Sequence, residues 1–214
     1  LPPARGVNFL VRRGMSLEER YFGPTALFNE REKRRLLADY AGDGDPMFLT
    51  EAIWDATEGL DPVTRMQQVD LNLWLAGDIL LKADKMTMAH SLELRVPLLD
   101  KELMGVAEQV PTKYLITDEN TKYAFRQAAG RHLPKEWYDR EKLGFPVPIK
   151  KWLREEKFYK YVRSVFERDY VSQFFDQDAL LKMIDDNYAG KTDDRRKIWT
   201  VYSFLTWYDV YFVH

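Results

Sequence analysis

Cysteine is absent from the 214 residues of this chain. The absence excludes disulfide bonds and thiolate metal ligands, and it suits a reducing compartment, so we expect a cytoplasmic protein. The three histidines, His90, His132 and His214, are too scattered for a metal cluster and lack the spacing of two ligands on one helix. The sequence therefore predicts no metal site.

A large charge of one sign and long apolar runs are also absent. The formal net charge is −2, which gives no electrostatic reason to expect nucleic acid or an anionic membrane as a partner. No apolar run approaches the roughly 18–20 residues that a membrane span needs, and no signal peptide pattern is present. We expect neither nucleic acid nor a membrane among the partners.

Strand signals are scarce, whereas helix signals recur along the whole chain, so we predict an all-α fold. Residues that suit the N-cap position mark several helix starts: Ser16 with Glu19, Asn29, Asp61 and Asp100. The predicted helices span residues 49–58, 61–76, 78–91, 100–109, 121–132, 149–155, 159–168, 176–187 and 193–212. Residues 140–148, REKLGFPVP, cannot form regular structure.

The stretch 78–100, DILLKADKMTMAHSLELRVPLLD, organises the chain. Its first part predicts a buried helix, because one side carries a mostly apolar stripe formed by Ile79, Ala83, Met86 and His90. The other side carries Asp78 four residues before Lys82, the favourable order for a helical ion pair. An extended segment follows, and it places Glu93 and Arg95 two residues apart on one side. That charged pair is either a buried structural ion pair or part of a site.

The last predicted helix is dense in aromatic residues. A stripe at helical spacing is formed by Trp199, Tyr202, Leu205 or Thr206, and Tyr208, which favours a core stripe. The alternative is a surface that contacts another domain or subunit.

Motifs that carry chemistry are few. Neither Gly-rich phosphate-binding pattern is present. Lys142 lies in the 140–148 loop beside Gly144, where a stiff backbone can hold a fixed positive charge near phosphate oxygens or a developing oxyanion. The alternative is a surface lysine beside a tight turn. Lys122, Arg126 and Arg131 are interpreted as a solvated helix face. The residues alone indicate no more than a helical domain.

Three segments in register change that interpretation. The stretch 78–100 resembles a segment of the glutamine-dependent asparagine synthetases that carries M-A, E-x-R-x-P and L-D. Residues 122–126, KYAFR, followed by LP at 133–134, resemble the next family segment. Residues 140–148 match its R-x-K-x-G-F-x-V-P pattern. The resemblance covers most of the chain, from about residue 16 onward.

The resemblance implies the helical C-terminal portion of a PP-loop ATP pyrophosphatase-like synthetase domain. Members of the family activate the aspartate carboxylate as β-aspartyl-AMP with ATP and Mg²⁺, and ammonia from glutamine then displaces AMP. The family's loop lysine falls on Lys142, which would stabilise negative charge on the phosphates, while Arg140 and Gly144 would shape the loop. Glu93 and Arg95 would support the site, and Asp78 and Asp84 would lie on the helix that faces it.

The sequence also lacks parts of the family pattern. It has no S-G-G-x-D-S nucleotide loop, no S-G-E-G-x-D-E segment and no N-terminal cysteine for glutamine hydrolysis. We therefore expect residues 1–214 to be the C-terminal part of an asparagine synthetase-like domain. Its partners would be the missing N-terminal synthetase and glutaminase portions. We expect the isolated chain to bind no cofactor, to make no amide and to expose apolar surface through which it can form a homodimer.

Two alternatives remain open at this point. One is a stand-alone helical scaffold or interaction domain without catalysis. The other is a related synthetase that closes β-lactam or peptide rings, so that the carboxylate substrate is not aspartate.

Overall fold

The computed structural model describes residues 13–22, 27–42, 44–141, 144 and 147–213. These residues contain no strand apart from one antiparallel bridge between Leu37 and Phe175, so the all-α prediction is confirmed. Contacts divide the chain into two units, the first made of Leu1–Tyr21 and Pro46–Leu143 and the second of Phe22–Asp45 and Gly144–His214. In the described part of the chain, no helix combines the length and the apolar composition needed to cross a membrane.

The helices are numbered in chain order. They are α1 Leu17–Phe22, α2 Glu30–Leu36, α3 Phe48–Ala56, α4 Pro62–Val69 with its continuations Asp70–Leu80 and Leu81–Met88, α5 Lys101–Ala107, α6 Thr112–Leu115, α7 Tyr123–Ala129, α8 Lys135–Tyr138, α9 Ile149–Trp152, α10 Glu156–Phe166, α11 Gln177–Tyr188, and α12 Arg195–Tyr208 with its continuation Asp209–Val213. Short 3-10 turns occur at Pro97–Leu99 and Asp169–Gln173.

The predicted helix starts are confirmed by their hydrogen bonds. Ser16 and Glu19 exchange the two bonds of a capping box, at 2.8 and 3.1 Å. Asn29 does the same with Glu32 at the start of α2. Asp61 and Asp100 each accept two backbone N–H groups, at the starts of α4 and α5. These local side-chain acceptors satisfy N–H groups that the first turn of a helix leaves without a partner.

The predicted break between residues 76 and 78 is wrong, because α4 runs without interruption from residue 62 to 88. Gly77 is the only weak helix former near that point, and a single glycine costs about 1 kcal/mol in a helix interior. The middle of α4, Asp70–Leu80, is a π-helix with wider turns. The apolar stripe of Ile79, Ala83, Met86 and His90 was predicted from α-helical spacing, and that spacing does not hold in the π-helical segment, which includes Ile79.

The second unit has a well-packed core. Phe166, Leu180, Ile184, Ile198 and Leu205 are fully buried there, where α10, α11 and α12 pack together. Burying side chains of this size stabilises a fold by about 1.5–3 kcal/mol each. This unit can hold its helices together from its own residues.

The aromatic stripe predicted for α12 is only partly correct. The buried side of the helix is formed by Ile198, Val201 and Leu205. Leu205 is buried as predicted, whereas Ile198 and Val201 lie one position before the predicted Trp199 and Tyr202. Tyr202 and Tyr208 are half-buried, whereas Trp199 is exposed. Aliphatic residues fill the tight centre of the bundle, and the wider rings lie around its edge, where Tyr208 contacts Tyr170 and Phe174.

The first unit buries far less. Its buried side chains among the described residues are Thr50, Trp54, Thr57 and Val69. Trp54 meets the edge of Tyr21, with ring centroids 5.8 Å apart, and the Arg65 guanidinium lies 5.1 Å from the indole centroid. Among the described residues, no comparable buried cluster surrounds the later part of α4.

Candidate functional site

The predicted buried helix of the motif stretch is exposed in this chain. Met86, Met88, Leu92 and Leu94 are 47–61% exposed, and His90 is on the surface with its Nδ1 2.9 Å from the Met86 carbonyl oxygen. Within the predicted stripe, Met86 and His90 are exposed, whereas Ile79 and Ala83 are half-buried, so the burial prediction is wrong for the second half of the stripe. The pattern reports side chains suited to burial, but no element of the described chain covers them.

Asp78 and Asp84 lie at different levels of α4. The carboxylate of Asp78 accepts a hydrogen bond from Trp74 Nε1 at 3.1 Å and lies 3.5 Å from Lys82 Nζ, so the predicted pair with Lys82 is confirmed. Asp84 is exposed one and a half turns later, and its backbone carbonyl accepts the Thr87 hydroxyl at 3.2 Å. The two carboxylates do not converge on one point of the helix, since residues six apart lie on different faces.

A left-handed residue turns the chain from α4 into the extended segment. Ser91 has φ of 56°, the one positive value at a non-glycine residue among those described. The Leu92 N–H donates to the Thr87 carbonyl and the Ser91 N–H to the Met88 carbonyl, both at 3.0 Å. These two bonds form a Schellman motif with Ser91 in the position that glycine usually occupies. The direction of the segment that carries Glu93 and Arg95 is therefore set at Ser91.

Glu93 and Arg95 form an ion pair, with Arg95 Nη2 2.6 Å from Glu93 Oε1. Their side chains are 69% and 83% exposed. An exposed pair of this kind contributes roughly 0–1 kcal/mol, so a buried structural ion pair is excluded for this chain. Their part in a site stays a prediction.

Arg126 connects α7 to the start of the 140–148 loop. Its Nη2 donates to the backbone carbonyl oxygen of Arg140 at 2.9 Å, and its Nη1 lies 3.6 Å from Asp139 Oδ1. The side chain is only 22% exposed, so the interpretation of Arg126 as part of a solvated face is wrong. The sequence contained the signal, because Arg126 lies in the KYAFR segment, but its charge was interpreted as surface. Its partner is a backbone atom fourteen residues away, which spacing along a helix cannot reveal.

The loop itself is described in part. Arg140 and Glu141 are exposed and irregular, as predicted. Lys142 lies outside the described residues, so its place stays a prediction. Gly144 belongs to the second unit, and a Cβ added there would meet no atom within 4 Å. Open space gives no steric reason for glycine at this position, and its role in shaping the loop also stays a prediction.

The described residues bring together three separate sets: Asp78 with Lys82, Glu93 with Arg95, and Arg126 with Asp139 and the Arg140 carbonyl. Within the described ranges, no hydrogen bond or ion pair joins the Glu93–Arg95 pair to the 140–148 loop. The expectation that Glu93 and Arg95 support a site at this loop therefore stays a prediction.

A bound nucleotide with its divalent ion needs oxygen or nitrogen ligands for the ion and donors for the phosphates. Among the described residues, no three side chains of His, Asp or Glu come together as an ion would need. The sequence also has no Gly-rich phosphate loop. The described residues therefore do not by themselves supply the ligands for the ion of a bound nucleotide.

Comparison with known proteins gives a family. Residues 8–209 match the family described as asparagine synthase. A Mycobacterium bovis protein named "Putative asparagine synthetase (glutamine-hydrolyzing)" is 40% identical over 210 residues, which cover 98% of this chain and 32% of that protein. Asparagine synthetase (glutamine-hydrolyzing) 1 of Bacillus subtilis is 39% identical over 206 residues, covering 96% and 32%. No solved structure matches the chain significantly.

The matched region is nearly all of this chain but only part of each relative. The chain spans about a third of the length of the curated relatives it matches. The family match covers more than nine-tenths of the chain and includes all three motif segments. The resemblance found in the motifs is thereby confirmed: this chain belongs to the asparagine synthase family.

Proposed function

We propose that this chain is the helical C-terminal portion of an ATP-dependent and glutamine-dependent asparagine synthetase. In this proposal the complete protein activates the side-chain carboxylate of aspartate as β-aspartyl-AMP with release of pyrophosphate. Ammonia from glutamine then displaces AMP and forms the amide. The observation that carries the proposal is the family match over residues 8–209, which includes the three motif segments in order.

The proposal divides the work between this chain and the rest of the protein. Residues 1–214 form the helical part of a PP-loop domain, while the nucleotide loop and the glutaminase cysteine lie elsewhere. Two observations support this division: the sequence contains neither feature, and the relatives are about three times longer than the matched region. ATP and Mg²⁺ would be held mainly outside this chain, and the isolated chain would make no amide.

Within this chain, the central role falls to Lys142. A lysine on a stiff loop offers a preorganised charge, which stabilises a transition state without reorganisation during the reaction. The hydrogen bond from Arg126 to the Arg140 carbonyl supports this role, because it fixes the backbone two residues before the lysine. Glu93 and Arg95, with Asp78 and Asp84 on α4, would support the site from the motif stretch, and Gly144 would complete the loop.

Aspartate-dependent exchange of pyrophosphate into ATP tests the proposal in the complete protein. Lys142→Ala should lower the exchange rate about 10²-fold or more, the scale found when one preorganised charge is removed. Lys151→Ala is the matched control, since Lys151 is an exposed lysine beyond the same loop. Exchange at the normal rate in Lys142→Ala would remove that lysine from the mechanism. If the complete protein shows no exchange with aspartate but does show exchange with another carboxylic acid, that acid would be the substrate instead of aspartate.

A further inference from the structure

A small cavity of about 170 Å³ opens on the second unit, lined by α2, α11 and the beginning of α12. Its apolar lining includes Phe28, Leu36 and Met183, which belong to or pack against the buried core. A cavity needs about 10–15 Å³ of such volume to hold one water, so this one can hold several waters or a small molecule. A ligand of that size is a small metabolite with an apolar body.

Most of the charged groups that line the cavity are paired with one another. Lys197 Nζ lies 2.5 Å from Glu32 Oε1, and Lys182 Nζ lies 2.6 Å from Asp186 Oδ2. Paired groups of this kind offer little net charge to a ligand, because each cation is already neutralised by a carboxylate in contact with it. Recognition must therefore come from the groups that are not fully paired.

Arg35 is the lining cation without an acidic partner among the described residues. It is exposed on α2, directly before the buried Leu36. A guanidinium presents two parallel N–H donors that match the two oxygens of a carboxylate. Arg35 therefore provides the cavity with a carboxylate-binding group next to an apolar floor.

Asp194 is the lining acid with free capacity. Its Oδ1 lies 3.4 Å from Lys197 Nζ, a long contact, and Lys197 has its shorter bond to Glu32. Asp194 occupies the N-cap position of α12, yet its side chain caps no backbone N–H. A carboxylate with unused acceptor sites at the edge of a cavity suits an ammonium group.

We propose that this cavity binds a free α-amino acid with an apolar side chain. The α-carboxylate contacts Arg35, the ammonium contacts Asp194, and the side chain lies against Phe28, Leu36 and Met183. The inference goes beyond the proposed synthetase chemistry, because the cavity belongs entirely to the second unit and uses none of the motif residues of the first.

Titration calorimetry on the full chain tests this with L-leucine, L-methionine and L-phenylalanine as probes. At least one should bind saturably, with a dissociation constant of about 1 mM or lower. Two truncated analogues of leucine, 4-methylpentanoate without the ammonium and 3-methylbutylamine without the carboxylate, should each bind about tenfold more weakly or worse. Arg35→Gln should weaken amino-acid binding by the same factor. Arg31→Gln is the matched control, because Arg31 is exposed on the same helix but does not line the cavity.

Each other outcome overturns the inference. No saturable binding by any of the three amino acids removes the site. Equal binding of 4-methylpentanoate and leucine removes the assignment to an amino acid, and unchanged binding in Arg35→Gln places the ligand elsewhere. Circular dichroism of Arg35→Gln and Arg31→Gln should show the helical content of the parent chain, because both substitutions replace exposed side chains.

Discussion

Ser91 occupies a conformation that its Cβ disfavours. The left-handed region costs an L-residue roughly 1–2 kcal/mol, because Cβ approaches the following carbonyl oxygen. The Schellman hydrogen bonds around Ser91 hold it there nonetheless. The residue ends α4 and begins the segment with Glu93 and Arg95, so strain is stored where the helix gives way to the predicted site.

Ser91→Gly should therefore stabilise the chain. Removing Cβ relieves the strain, and the greater freedom of glycine in the unfolded state offsets about half of that gain. We expect the free energy of unfolding in urea to rise by about 0.5–1 kcal/mol. Ser91→Ala is the control, because it keeps Cβ and should stay within about 0.5 kcal/mol of the parent chain. A Ser91→Gly chain less stable than the parent would show that the turn is not strained.

Arg126 offers a second test at the residue scale. Arg126→Lys keeps the charge but loses the planar fork that reaches both Asp139 and the Arg140 carbonyl. In the complete protein we expect kcat for amide formation to fall about tenfold with a smaller change in KM, because a displaced loop weakens transition-state contacts more than substrate binding. Adding guanidinium to an Arg126→Ala variant should restore part of the rate.

The control for that test is Arg131→Lys, an exposed position at the end of the same helical segment. It should leave kcat unchanged. Equal rates for Arg126→Lys and the parent protein would contradict a role for Arg126 in holding the loop.

Sequence reasoning at the residue scale succeeds where the partner is close along the chain. The caps at Ser16, Asn29, Asp61 and Asp100 were predictable, because each side chain bonds to a backbone N–H two or three residues ahead. The role of Arg126 was not, because its partner lies in another element. The left-handed turn at Ser91 was not predictable either, since serine carries no general signal for positive φ.

At the scale of elements, one ion pair joins α2 to α12, which lie far apart in the sequence. Lys197 Nζ donates to Glu32, and the same Glu32 accepts the Asn29 N–H that caps α2. Partial burial raises the pKa of Glu32. The hydrogen bonds from Lys197 and Asn29 together lower it by more than burial raises it, so the net pKa lies below the usual range. One carboxylate therefore serves both the helix start and the contact between two helices.

This lowered pKa predicts part of the acid sensitivity of the second unit. A folded-state pKa below that of the unfolded chain stabilises the fold above the unfolded pKa, near 4.3, and the contribution is lost as the pH falls through the folded value. Glu32→Gln should therefore lower stability at pH 7 and flatten its decline below about pH 5. Urea unfolding followed across pH measures both effects.

Element lengths and breaks were harder to predict than element type. Helices were expected at 61–76 and 78–91 and are present there, yet they form the single helix α4 with a π-helical centre. Gly77 suggested a boundary, but neighbouring residues of high helix propensity outweigh one glycine. A change from α to π turns has no simple sequence signature, so the rotation of side chains within 70–80 could not be predicted from spacing.

At the scale of the whole molecule, apolar residues are divided unevenly between covered and uncovered positions. The second unit encloses a cluster of aliphatic residues, whereas the first exposes Met86, Met88, Leu92 and Leu94 along the motif stretch. Burial was predicted for the stripe that includes Met86, and no described residue covers that side chain. Large apolar side chains left exposed along one segment are typical of a segment that contacts another part of a protein.

The two units should therefore respond differently to loss of an apolar side chain. Phe166→Ala removes a fully buried ring and should lower the free energy of unfolding of this chain by about 3–5 kcal/mol. Met86→Ala removes a side chain that is 61% exposed, and it should change the stability of this chain by less than about 0.5 kcal/mol. Urea unfolding monitored by circular dichroism measures both.

The same Met86→Ala substitution in the complete protein tests whether the missing portion covers this face. A methionine buried there should cost about 2–5 kcal/mol when truncated, since transfer and cavity terms then both apply. Lys85→Ala, at the exposed neighbouring position, controls for changes in helix propensity and should be nearly neutral in both proteins. A small effect of Met86→Ala in both would show that the motif helix stays on the surface, and the synthetase site would then have to be built without it. A large effect only in the complete protein would mean that the sequence pattern correctly predicted burial, and that the buried state requires residues beyond these 214.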